Sequence, residues 1–110
     1  MDVRVALVGP IDLGGGATET QIQANLDRFD KAELVLAGRG HTVYNPARRG
    51  RVHRYEWSRA DFMRASVKDI LQVEGIALLP GWGASPGATV ELSLARQLDL
   101  IVIHIQEEEL

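Results

Sequence analysis

The sequence predicts an α/β fold, a parallel sheet with helices packed on both of its faces. Two observations predict it. Short, nearly continuous apolar runs rich in β-branched residues suit strands covered on both sides. Segments of helical periodicity separate those runs, with Gly, Pro and Asn at the junctions. At 110 residues the chain has room for one domain, residues 1–110, with a core of modest size.

Residues 3–8, Val-Arg-Val-Ala-Leu-Val, form the first strand, ended by Gly9-Pro10. Gly14, Gly15 and Gly16 then predict a flexible loop. A helix follows over about residues 18–36, with Ile22, Leu26, Phe29, Leu34 and Leu36 expected inward. Gly38 and Gly40 are natural stops for it. The second strand is His41-Thr42-Val43-Tyr44, closed by Asn45-Pro46. Residues 47–57 are polar and basic and are expected to form a loop. Ser58 caps a second helix over about residues 59–73, whose stripe is Met63, Val67, Ile70 and Leu71. Strand three is 76–79. Ser85 and Pro86 then suit the N-cap and first position of a third helix reaching about Leu98. Residues 100–105 make strand four, and the run Glu107-Glu108-Glu109 is expected to fray.

Alternating strands and helices imply right-handed crossovers and a parallel sheet. The expected architecture is a flavodoxin/Rossmann-like three-layer sandwich of four to five strands in the order 2-1-3-4. Its topological switch point falls between strands one and three. The loops after those strands, residues 9–16 and 80–87, would meet at the crevice where such folds bind ligands.

Composition narrows the function. Hydrophobic residues at 45% and charged residues at 25% are ordinary for a folded domain and argue against disorder. A net charge of −3 gives no reason to expect nucleic-acid binding by the whole surface. Without cysteine there is no disulfide or thiol chemistry. The N-terminus lacks the blocks of a signal peptide and no run approaches a membrane span, so a cytoplasmic location is expected. The glycines after the first strand match neither the dinucleotide-binding nor the P-loop pattern. His41 and His104 stand apart, without ligand spacing, so no metal site is expected.

The segment from Leu78 to Glu91 carries the most chemistry. A strand runs into Pro80-Gly81-Trp82-Gly83-Ala84-Ser85-Pro86-Gly87 and then a helix. Free N–H groups at that helix start and the Ser85 hydroxyl can hold an anion, or Ser85 can simply cap. Glu91 lies at the border of the stripe formed by Ala88, Leu92 and Ala95. Burial would raise its pKa and the helix N-terminus would lower it. It is either a catalytic carboxylate or an exposed helix Glu that pairs with a neighbour such as Arg96 or forms no pair. Asp69, beside Ser66 and Ile70, is either a second carboxylate at the crevice or a solvated neighbour of Lys68. A pair of carboxylates at one crevice suits glycosyl chemistry. The basic run Arg48-Arg49-Gly50-Arg51-Val52-His53-Arg54 is either a solvated mobile loop or a grip for phosphate or a nucleic acid strand, the last disfavoured by the acidic net charge.

Several motifs stand in a telling order: Gly9-Pro10; Gly40-His41-x-Val43-x-Asn45-Pro46; Trp57, Met63 and Asp69; and Leu79-Pro80-Gly81-Trp82-x-x-Ser85-x-Gly87-Ala88-x-x-Glu91. From Val3 to Ile103 the chain resembles a family of small, largely uncharacterised domains frequent in phage genomes. That family is grouped with the nucleoside 2-deoxyribosyltransferase superfamily. The resemblance implies that Glu91 attacks the anomeric carbon and that Asp69 assists at the base or sugar. It also implies that Ser85, six residues before the nucleophile, meets the 5′ end of the substrate. Serine there resembles the 5′-monophosphate N-glycosidases. The acidic residue often found just before strand three is Gly75 here, and Ile11-Asp12-Leu13 with three glycines replaces the usual first-loop groups. Base stacking would then fall to Trp82 or to a neighbouring subunit.

The expected function is cleavage of, or 2-deoxyribosyl transfer from, the N-glycosidic bond of a deoxynucleoside or its 5′-monophosphate, by a glutamate nucleophile. The substrate-facing residues would be Gly9, Pro10 and Ile11 of one loop and Gly81, Trp82, Ser85, Gly87 and Ala88 of the other. The chemistry requires no metal or organic cofactor. A homodimer or larger homo-oligomer is expected, given the small core. Two alternatives use other classes: a non-catalytic nucleotide-binding or sensing module, and a phage accessory protein that contacts a partner through the basic loop.

Overall fold

A computed structural model describes residues 3–12 and 16–110. Its elements run β1 (Arg4–Val8), α1 (Glu19–Gly38), β2 (Thr42–Tyr44), α2 (Ala47–Val52), α3 (Arg59–Ile70), β3 (Gly75–Leu78), α4 (Pro86–Gln97) and β4 (Ile101–His104), with 3-10 turns at Trp82–Ala84 and Glu107–Glu109. All strand pairs are parallel, and the order is β2-β1-β3-β4. The expected fold class and switch point hold, with four strands.

Strand alternation divides the core into two layers. Val5 and Leu7 of β1, with Ala77 of β3 and Leu79 just beyond it, meet Ile22, Leu26, Phe29, Ala32 and Leu36 of α1. Ala6, Val8, Ile76 and Leu78 meet Ile70 of α3 and Ala88, Leu92 and Ala95 of α4. Helix starts follow the sequence signals. Thr18 and Ser58 each form a reciprocal capping box, with Gln21 and Asp61 respectively.

Four expectations need correction. Leu34 is 74% exposed, and Ala32 holds the inward position because the buried stripe advances 22, 26, 29, 32, 36. Leu71 is 63% exposed because α3 ends at Ile70. The Glu107–Glu109 tail is docked. Arg28 donates to Glu107 at 2.6 and 2.9 Å, and Arg39 donates to Glu109 at 2.6 Å. The fourth concerns residues 47–57, which do not form a solvated loop. Residues 47–52 are helix α2, seated on buried Ala47 and Gly50. The Asn45 side chain starts it by accepting from the Ala47 N–H at 2.9 Å. The flexible loop expected at Gly14 and Gly15 lies outside the described residues, as does Leu13. Among the described residues no helix is long and apolar enough to cross a membrane.

Candidate functional site

The loops after β1 and β3 meet because of two glycines. A Cβ on Gly9 would stand 2.9 Å from the Leu79 Cβ and 3.3 Å from the Phe29 ring, so the end of β1 can lie against the end of β3 only without a side chain. Gly81 turns the second loop in the left-handed region (φ 88°), beside Pro10. Next to this junction is a cleft of about 350 Å³, within the range of small-molecule sites.

The β1 loop supplies one wall with Gly9, Pro10, Ile11 and Asp12; α3 supplies another with Arg59, Phe62, Met63 and Ser66. Residues 84–88 and Glu91 close a third side, and Pro46 and Arg49 a fourth. Asp12 holds a left-handed backbone (φ 63°), a conformation that Asp tolerates better than most residues.

At the start of α4, Ser85 is the N-cap, and its Oγ accepts from the Ala88 N–H at 3.3 Å. Pro86 has no N–H, and the Thr89 N–H donates to the Ser85 carbonyl at 3.0 Å. The Gly87 N–H has no acceptor among the described residues and is the orphan donor of the first turn. A Cβ on Gly87 would lie 3.2 Å from the Met63 Cε and 3.9 Å from Glu91 Oε1, so this glycine keeps the approach to Glu91 open.

Glu91 is half-buried and makes no hydrogen bond or ion pair to any described residue; the alternative of a pair with Arg96 is not realised. Burial pushes its carboxyl up from 4.5 to about 7; nearby Arg49 pulls the other way, and Asp69 adds to the rise.

Asp69 does not border the cleft directly. Its Oδ2 accepts from Arg49 Nη1 at 2.6 Å, while Arg49 Nη2 donates to Ser66 Oγ at 3.0 Å. Asp69 is therefore not the solvated neighbour of Lys68 that the bland alternative expected, since its side chain is 22% exposed and paired with Arg49. Arg49 and Ser66 thus stand between Asp69 and the open space. Gly81 and Trp82 also lie outside the cleft lining. Trp82 packs on the α3/α4 layer and faces His104, ring centres 6.5 Å apart. The aromatic ring that does line the cleft is Phe62.

The basic run is largely neutralised within the fold. Arg51 reaches Asp30 at 2.8 Å and Asp27 at 3.2 Å, Arg48 reaches Glu33 at 4.0 Å, and Arg54 pairs with Glu19. His53 stacks flat on Trp57, centres 4.0 Å apart. Arg59 is different: it lines the cleft and has no ionic partner among the described residues. No group of three or more His, Asp or Glu among the described residues is arranged to hold a metal ion.

Sequence reasoning missed Arg49, Ser66, Arg59, Phe62 and Asp12 as lining residues. A signal existed for the first two: Ser66 and Asp69, three apart on a helix, share one edge that a cation can bridge.

The profile of a domain of unknown function, DUF4406, matches residues 11–104. The chain belongs to the DUF4406 family. No curated protein matches it. The parallel 2-1-3-4 sheet of this DUF4406 domain resembles nucleoside 2-deoxyribosyltransferase-like folds, and the cleft is at the end of the sheet where an α/β fold of this order binds ligands.

Proposed function

We propose that this domain breaks the N-glycosidic bond of a 2-deoxynucleoside or its 5′-monophosphate, releasing the base to water or exchanging it. The observation that carries the reading is Glu91, a half-buried carboxylate without a partner among the described residues, its pKa pushed up to about 7 beside a small-molecule cleft. Glu91 attacks C1′ as the C–N bond opens, and a glycosyl-enzyme forms; water or a second base then takes the sugar. Ser85 and the Gly87 N–H receive the 5′ end, where an anionic group suits a helix N-terminus. Phe62 offers the base an apolar face. Asp69 contributes at the leaving base, and the loop after β1, with Gly9, Pro10 and Ile11, covers the sugar. Phage origin, and membership of the superfamily with its chemistry, belong to the same proposal.

Incubation with the common deoxynucleosides and their 5′-monophosphates, followed by chromatography of free base, tests it. Base release that Glu91→Gln abolishes supports the reading. If nucleotides raise the melting temperature while no base appears, the cleft binds without catalysis. Self-association is proposed as well: Ile101 on the edge strand β4 is 56% exposed and nearby Leu98 is 41% exposed. Sedimentation showing a monomer at micromolar concentration would remove it.

A further inference from the structure

We infer that Arg49 is the group that meets the departing base, and that Asp69 acts through it as a positioning residue. The inference rests on the glycosidic reading above and assigns a role within it that the sequence motifs do not contain.

Helix α2 splits its arginines between two sides. Arg48 and Arg51, three apart, turn to the acids of α1, whereas Arg49 turns to α3 and the cleft. A guanidinium has five N–H donors. Two are engaged, one by Asp69 at 2.6 Å and one by Ser66 at 3.0 Å. The others have no partner among the described residues, and the side chain, 19% exposed, borders the space beside Glu91. Two anchors on one helix hold the fork at a fixed angle, as a preorganised donor requires. Asp69, behind this fork, has no place on the cleft wall from which to touch a substrate.

When the C1′–N bond breaks, its electron pair leaves with the base nitrogen as a Glu91 oxygen bonds to C1′. The base departs carrying negative charge. A fixed guanidinium N–H directed at a base nitrogen or carbonyl oxygen stabilises that charge, and the base then takes its proton from water. A second water adds its oxygen to C1′ and loses its proton to the hydroxide left by the first, which restores the Glu91 carboxylate and leaves free sugar. The charged groups that share the cleft wall with Glu91 are Arg49 from α2, Arg59 from α3 and Asp12 from the β1 loop, while Asp69 acts on Glu91 from behind Arg49. Arg49 is the cation that favours the carboxylate form of Glu91.

The test compares two leaving groups under single turnover. One substrate is a deoxynucleoside 5′-monophosphate; the other is p-nitrophenyl 2-deoxyriboside 5-phosphate, whose leaving group is stable as an anion. Arg49→Gln should slow base release on the order of 100-fold while slowing nitrophenolate release far less, both measured well above the Glu91 titration. Asp69→Asn should show the same leaving-group bias to a smaller degree, and Arg51→Gln none. Equal losses on both substrates would overturn the inference and leave the glycosidic reading intact. Wild-type protein that releases neither leaving group overturns the glycosidic reading itself, and the inference with it. If Arg49→Gln does not fold, Arg49→Lys supplies the same comparison.

Discussion

Arg49 and Asp69 join α2 to α3 through a 2.6 Å ion pair, and that pair backs the wall of the cleft on which Glu91 opens. The side chains are 19% and 22% exposed, so solvent weakens the attraction less than at a free surface. The pair also explains why a helix of six residues holds its position. Ala47 and Gly50 supply its apolar footing, and arginines on opposite sides tie it to α1 and α3.

The Glu91 carboxyl is expected to leave a mark on stability as well as on rate. Its value of about 7 in the folded protein lies above the ordinary 4.5. Between those values the folded state holds more protons than the unfolded state. Stability therefore falls as pH rises through this window, and the loss is complete above about 7. Glu91→Gln removes the effect and should be more stable than wild type at about pH 8, by roughly 3 kcal/mol. The two should converge at about pH 4. Urea titrations across that range check it, and parallel curves would contradict the burial of this group. Base release should rise over the same window, because the attacking form is the carboxylate.

Arg59 is expected to sort phosphorylated from unphosphorylated ligands. It lines the cleft without an ionic partner among the described residues, so a bound anion would not have to displace one of them. Arg59→Gln should weaken binding of a deoxynucleoside 5′-monophosphate about tenfold and leave the nucleoside nearly unchanged, since a charge-assisted bond is lost in one case only. Calorimetry at two salt concentrations reads both numbers. An equal loss for the two ligands would place Arg59 at the sugar or base instead.

The sheet order and the meeting of two loops were legible in the sequence because apolar strands, caps and Gly-Pro junctions are local signals. The cap at Ser85 and the border position of Glu91 followed from helix geometry. Helix α2 was not legible, since six residues carry less than two turns of periodicity and four of the six are Arg or Gly. What makes it a helix is tertiary: buried Ala47 and Gly50, and acids on α1 that are distant in sequence. For the same reason Arg49 read as part of a solvated basic run. Trp82 lies in the loop just after β3, yet its ring turns toward β4 and His104, a choice that only packing makes.

Two glycines should separate folding from ligand access. Alanine at Gly9 meets a backbone-anchored Cβ at 2.9 Å and the Phe29 ring at 3.3 Å, so strands or helix must shift. A loss of about 1–3 kcal/mol is expected. Alanine at Gly87 meets the end of the flexible Met63 side chain at 3.2 Å and Glu91 Oε1 at an ordinary 3.9 Å, and alanine favours helix. Stability should change by less than about 1 kcal/mol, while nucleotide binding weakens because the approach to Glu91 narrows. Denaturant melts paired with binding titrations check both. A destabilised Gly87→Ala with unchanged affinity would move the ligand elsewhere in the cleft.

Asn45 is expected to control the cleft from outside it. Its carbonyl oxygen accepts from the Ala47 N–H at 2.9 Å, and its amide donates to Asp30 at 3.0 Å and Glu33 at 2.9 Å. One side chain thus starts α2 and fastens it to α1. Asn45→Ala removes all of these bonds and leaves a part-buried N–H without its acceptor, a cost of about 1–2 kcal/mol. Asn45→Asp keeps the acceptor for Ala47 but sets a third carboxylate against Asp30 and Glu33, so it should restore the helix start and not the link to α1. If α2 carries Arg49 into place as a unit, both variants should reduce base release, Asn45→Ala more, without touching any group on the cleft wall. Hydrogen exchange at the amides of α2 distinguishes this from a local change at residue 45. Faster exchange throughout residues 47–52 is expected in Asn45→Ala. Protection unchanged there, together with lowered activity, would mean that Asn45 acts by a route other than the helix.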